Sequence, residues 1–85
     1  MKIFYTKKFE REYKKLNREI KLKIESREII LRKNPFTSSL KTHKLSGELE
    51  DFWSFSIDFN YRIVFEFIDS DTIFFHSVGN HDIYK

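Results

Sequence analysis

The sequence predicts an α+β domain: an N-terminal strand, a helical hairpin, then a mainly antiparallel sheet of three to four strands with the hairpin on one face. Three observations carry this. Apolar residues recur at helical spacing from Phe9 to Leu31, they alternate with polar ones from Trp53 onward, and the turn-rich cluster "NPFTSS" divides the two regimes. At 85 residues, the chain is expected to form one domain, 1–85. Ten Phe, four Tyr and one Trp give it the means to build a core.

The elements follow in order. "MKIFYT" reads as a short strand ended by Thr6, which can cap a helix beginning at Lys7. Phe9, Tyr13 and Leu16, then Ile20, Ile24 and Leu31, stack on one face of two successive helices, and Asn17 can cap the second. Pro35 disfavours helix at Asn34 and ends the hairpin. A further short strand is expected near Leu40–Leu45, ahead of the acidic loop "ELED". Trp53, Phe55, Ile57 and Phe59 then alternate with Ser54, Ser56 and Asp58, as a strand with one buried face requires. In "YRIVFEF", Ile63, Phe65 and Phe67 point to the core and Arg62, Val64 and Glu66 away. "IDSD" turns the chain into the last strand, "TIFFHSV". The face opposite the hairpin is expected to lie open and to collect the polar residues of the strands. His76 joins it if Ile73 and Phe75 face the core, although both faces of this strand are apolar.

Composition narrows the function classes. With no Cys, the fold depends on no disulfide and no thiolate ligand, which suits a reducing cytoplasm. No run approaches the ~18 apolar residues of a membrane span, and the N-terminus turns charged too early for a signal peptide, so a cytoplasmic protein without membrane contact is expected. Two Gly leave no phosphate-cradling glycine loop, and no ligand spacing implies a metal or another cofactor. Charge is unevenly distributed. Residues 1–44 hold 14 Lys/Arg against 5 Asp/Glu, whereas residues 45–85 hold 2 against 8. A basic first half is either a solvated helical face or a surface for a phosphate-bearing partner.

The residues left for chemistry are His43, Arg62, His76, His81, Asp82 and Tyr84, with Lys41 and Lys44 beside His43 as substrate contacts. This set suits attack of an RNA 2′-hydroxyl on its neighbouring phosphate, which needs a base, a cation for the growing phosphoryl charge and an acid for the departing oxygen, and no metal. Plainer readings stand beside it. His43 can be an exposed loop residue, Arg62 can pair with Asp58 or Glu66, and His76 can be structural. His81 and Tyr84 can be terminal trim, yet Gly79 before them permits a sharp redirection of the backbone. Asp82 can orient His81 or cap a turn.

The succession "LKTHKLSG", Trp53, "YRIVFEF" and "SVGNHDIY" resembles the RelE/ParE superfamily of type II toxin–antitoxin toxins over essentially the whole chain. The resemblance implies a RelE-like fold and a toxin neutralised by a cognate antitoxin. In the RelE, YoeB and YafQ branches it implies a ribosome-dependent endoribonuclease cutting mRNA in the A site. By position it makes Arg62 the stabiliser of the scissile phosphate, His81 the general acid and Tyr84 the aromatic that orients the nucleotide or moves a proton. His43 resembles the His of the YafQ-type H-x-L-x-G segment. The family's paired lysines correspond here to the Trp53–Ser56 region, and the middle His and Asp of the YafQ site to Ser56 and Asn60. His43 is therefore the candidate base, with His76 in reserve. The alternatives within the fold are a ParE-like toxin directed at DNA gyrase and an inactive antitoxin-binding module.

Overall fold

A computed structural model describes residues 1–80 of the chain. The elements are β1 (Lys2–Tyr5), α1 (Lys7–Lys14), α2 (Arg18–Lys33), β2 (His43–Lys44), β3 (Trp53–Ser56), β4 (Arg62–Asp69) and β5 (Thr72–Gly79), with single 3-10 turns at Ser38–Leu40 and Gly47–Leu49. They build an α+β fold whose sheet runs β1-β5-β4-β3-β2. β2 to β5 pair antiparallel as a meander, and β1 joins β5 in parallel. The crossover from β1 to the meander passes through the helices, as a parallel partner requires.

Local chemistry sets the helix ends. Thr6 Oγ1 accepts from Phe9 N at 3.0 Å and Asn17 Oδ1 from Ile20 N at 2.9 Å, each satisfying a donor that the first helical turn leaves unpaired. α2 stops at Lys33, and Asn34 takes an extended conformation ahead of Pro35. Two turns of helix are marginal alone, so α1 depends on packing. Phe9 supplies it: its ring lies 5.4 Å from those of Tyr5 and Phe75 and 5.9 Å from Tyr13. Ile20, Ile24 and Leu31 of α2 join Phe9 against Phe55, Ile63, Phe65, Ile73 and Phe75 in one hydrophobic core. Tyr5, whose hydroxyl donates to Glu28, has its pKa pushed up to about 12 by burial and by that carboxylate.

Three expectations fail in detail. Phe59 is not a core residue: it is 87 % exposed, because β3 ends at Ser56 and Asp58 Oδ1 accepts from Asn60 N and Tyr61 N, folding "IDFNY" into a turn. The side of the sheet away from the helices is not fully open. Leu49 and Phe52 lie beside Val64 and His76, and Val64 and Ser54 are buried. Gly79, finally, does not take the left-handed conformation open to glycine. It is the last residue of β5, paired with Arg62, and among the described residues positive φ falls on Lys41 and Gly47.

β5 also carries one extra residue. Phe75 pairs with Phe65 and Ser77 with Val64, leaving His76 between them as a bulge. The bulge resets the alternation. Ile73 and Phe75 face the core before it, and Val78 does after it.

Candidate functional site

Register builds the site. His43, Ser54, Val64 and Ser77 align across four strands on the side away from the core, and Ser56, Arg62 and Gly79 form the next row. Arg62 is half-buried, and its Nη1 donates to Ser56 Oγ at 2.8 Å. The two acids foreseen as its partners each contact another basic residue. Asp58 Oδ2 takes Lys23 Nζ at 3.2 Å, and Glu66 Oε1 lies 3.2 Å from His76 Nε2. Opposite Arg62 stands a glycine, which adds no side chain to that row.

At this end of the sheet is a cleft of about 340 Å³. Arg62, Ser56 and Asp58 line it from the β3–β4 hairpin, Lys41 and Ser39 from the loop after α2, and Arg27 from α2 itself. Arg27 is fixed in place: Nε donates to Ile57 O at 3.1 Å and Nη1 to Ser39 O at 3.3 Å. Lys41 is held at φ 52° by the turn that ends Ser38–Leu40. Among the described residues, Asp58 is the sole carboxylate of the lining. Burial opposes its ionisation, but the Tyr61 and Asn60 amides and the Lys23 ammonium outweigh that and hold its carboxyl below the usual range. Among the described residues, three cations thus surround a space whose one anion is paired with Lys23. Such a lining suits a phosphate group.

Arg27 was not foreseen. The signal was present, since position 27 falls in the Ile20, Ile24, Leu31 stripe, where an apolar residue is expected and a guanidinium stands instead.

His43 is exposed, with Nδ1 3.0 Å from Lys41 O. A carbonyl only accepts, so Nδ1 carries the hydrogen and the neutral ring keeps its lone pair on Nε2. From Arg62 it stands two strands away and one pair along, about 10 Å across the sheet and about 7 Å along it. Lys44 is not brought to this group. It pairs with Trp53 and so lies on the opposite side of the sheet from His43. His76 also sits apart, its ring 4.8 Å from Phe52 and 5.1 Å from Phe74, in a second cleft with Lys8 and Ser77. His81, Asp82 and Tyr84 lie outside the described residues. Among the described residues, no group of three or more His, Cys, Asp or Glu could hold a metal ion, and no helix is long and apolar enough to cross a membrane.

Comparison with known proteins gives the family. Residues 1–84 match the model of YafQ, described as the bacterial toxin of a type II toxin–antitoxin system. No curated protein matches the chain. Solved structures share the fold at low identity. The YoeB/ParE toxin from Agrobacterium tumefaciens has a TM-score of 0.80 at 21 % identity, covering 95 % of this chain and 99 % of that one. The toxin–antitoxin complex RelBE2 from Mycobacterium tuberculosis gives 0.78 at 20 %, covering 94 % and 96 %. YafQ from E. coli strain BL21(DE3) gives 0.72 at 16 %, covering 96 % and 94 %. From its N-terminal strand to the end of its meander, this chain belongs to the YafQ family of bacterial toxins of type II toxin–antitoxin systems.

Proposed function

We propose that this toxin is a ribosome-dependent endoribonuclease that cleaves mRNA in the A site by metal-independent attack of a 2′-hydroxyl on the adjacent phosphate. The observation that carries the reading is the convergence of Arg62, Arg27 and Lys41 on one cleft. A phosphodiester seated there meets a guanidinium that Ser56 orients, so charge growing on the phosphoryl oxygens is met by donors already in position. His43 Nε2 takes the 2′-proton. His81, two residues after the end of β5, returns a proton to the departing 5′-oxygen, and Tyr84 stacks on or orients the nucleotide, with Asp82 steadying His81. No step needs a metal, because base, acid and cations are all side chains of this chain.

The partners follow from charge and family. Lys7, Lys8, Arg11 and Lys14 of α1 and Lys15 at its C-terminal cap are all exposed, a basic surface suited to ribosomal RNA phosphates. Ribosome docking then supplies orientation that an open, shallow site lacks. A cognate antitoxin is the second partner, as in the RelBE2 complex. Exposed Phe4, Leu22, Ile29, Phe36 and Ile68 offer it apolar surface. The chain acts in the cytoplasm, where translation occurs, as one domain.

Mapping mRNA 5′ ends in a translating extract tests this. The parent produces cuts within codons, Arg62→Ala and His81→Ala lose them, and mRNA left whole by a parent that remains toxic would move the assignment to a gyrase-directed toxin.

A further inference from the structure

We propose that Glu12 is a positioning residue for the C-terminal segment, replacing the strand that β5 loses where β1 ends. The proposal rests on the nuclease reading of His81 and Tyr84.

β1 pairs with β5 from Lys2↔Thr72 to Tyr5↔Phe75, and at Thr6 the chain turns away into α1. Among the described residues, β5 continues to Gly79 with a strand, β4, on one side only. On its other side, α1 side chains continue the ladder. Thr6 N donates to Phe75 O at 3.1 Å, and Thr6 Oγ1 donates to His76 O at 2.9 Å while capping α1. Glu12 Oε1 then accepts from Val78 N at 3.1 Å and from Ser77 Oγ at 3.0 Å. Lys8 Nζ lies 3.3 Å from Ser77 Oγ and 3.8 Å from Glu12 Oε2.

Ser77 and Val78 are buried, so an amide there without a partner is costly, and a carboxylate is the stronger kind of acceptor. The location gives this contact its consequence. Val78 pairs with Ile63, beside Arg62↔Gly79, and stands three residues before His81. The bulge at His76 has also freed this end of β5 from the alternation set earlier in the strand. Glu12 therefore fixes the end of β5 beside Arg62, from which His81 follows in sequence, and it does so without touching substrate.

The test compares the parent with Glu12→Ala and Glu12→Gln on translating ribosomes. Gln keeps an oxygen for Val78 N, whereas Ala does not. A displacement of about 1 Å at the reacting groups is enough to lower kcat by roughly 10- to 100-fold in Glu12→Ala, with KM within about twofold and Glu12→Gln near the parent. Amide exchange at Val78 rises in Glu12→Ala by about tenfold, while Phe65 and Phe75 stay protected. Parental kcat in Glu12→Ala, a rise in KM that accounts for the whole loss, or equal damage in Glu12→Gln would each overturn the proposal. Should the parent itself cut no mRNA, the nuclease reading fails separately. The exchange measurement still decides the anchor: unchanged Val78 exchange removes it, and faster exchange retains it.

Discussion

The two sides of the β3–β4 hairpin use alternate residues of the same strands for opposite ends. On the helix side, Phe55, Ile63 and Phe65 are at most 1 % exposed, and the Phe55 ring packs against those of Phe65 and Phe75. On the other side, Ser56 and Arg62 carry a hydroxyl and a guanidinium into the cleft. Stability and chemistry are therefore separated by a single residue of register. Substitutions on one side should change the folding midpoint, and those on the other should change activity.

The largest effect that sharpens this contrast is expected from Phe65→Ala. Removing a fully buried ring costs about 3–5 kcal/mol, a large share of the total for a domain this small. Chemical denaturation reads it, and an unchanged midpoint would mean the core is not where the packing puts it. Arg62→Ala comes next, with about a 10²–10³-fold loss of cleavage and a midpoint close to the parent. A comparable fall in both quantities would erase the separation. Arg27→Ala belongs to both sides. It removes a cation from the cleft and two charge-assisted bonds to carbonyls, so it should lower activity and also cost about 1.5–3 kcal/mol of stability. Thr6→Ala removes the α1 cap and should cost about 1 kcal/mol, visible in thermal melts.

The smallest effect is pH-dependent. The carboxyl of Asp58 titrates below its unfolded value, so its contribution is present above pH ~4 and is lost as pH falls through the lower, folded pKa. Asp58→Asn should therefore melt slightly earlier than the parent at pH 7, and the gap should close in acid. A gap constant down to pH ~2 would show that the ionised group is not the cause.

Much of this was legible in residue order. The caps at Thr6 and Asn17, the stop before Pro35 and the helical stripe of Phe9, Ile20, Ile24 and Leu31 are local signals with local outcomes. The place of Arg62 on the face away from the core was readable from strand parity. Phe59 was misread because alternation continues in the letters after the strand has ended, and only Asp58's bonds to the turn amides reveal the end. Arg27 was missed because a helix face is judged by its majority, and three aliphatic neighbours hid one guanidinium.

By itself, the sequence determined the element order, the helix termini, most of the core-facing residues and the basic character of the first half, because each depends on spacing or on bonds a few residues long. Tertiary structure alone decided that β1 lies parallel beside β5, that a bulge at His76 resets the last strand, that Arg27 meets Arg62 and Lys41, and that Glu12 anchors Val78. Those contacts join residues 10 to 70 positions apart, and no short-range rule connects them. They form only when the hydrophobic faces have already brought the elements together.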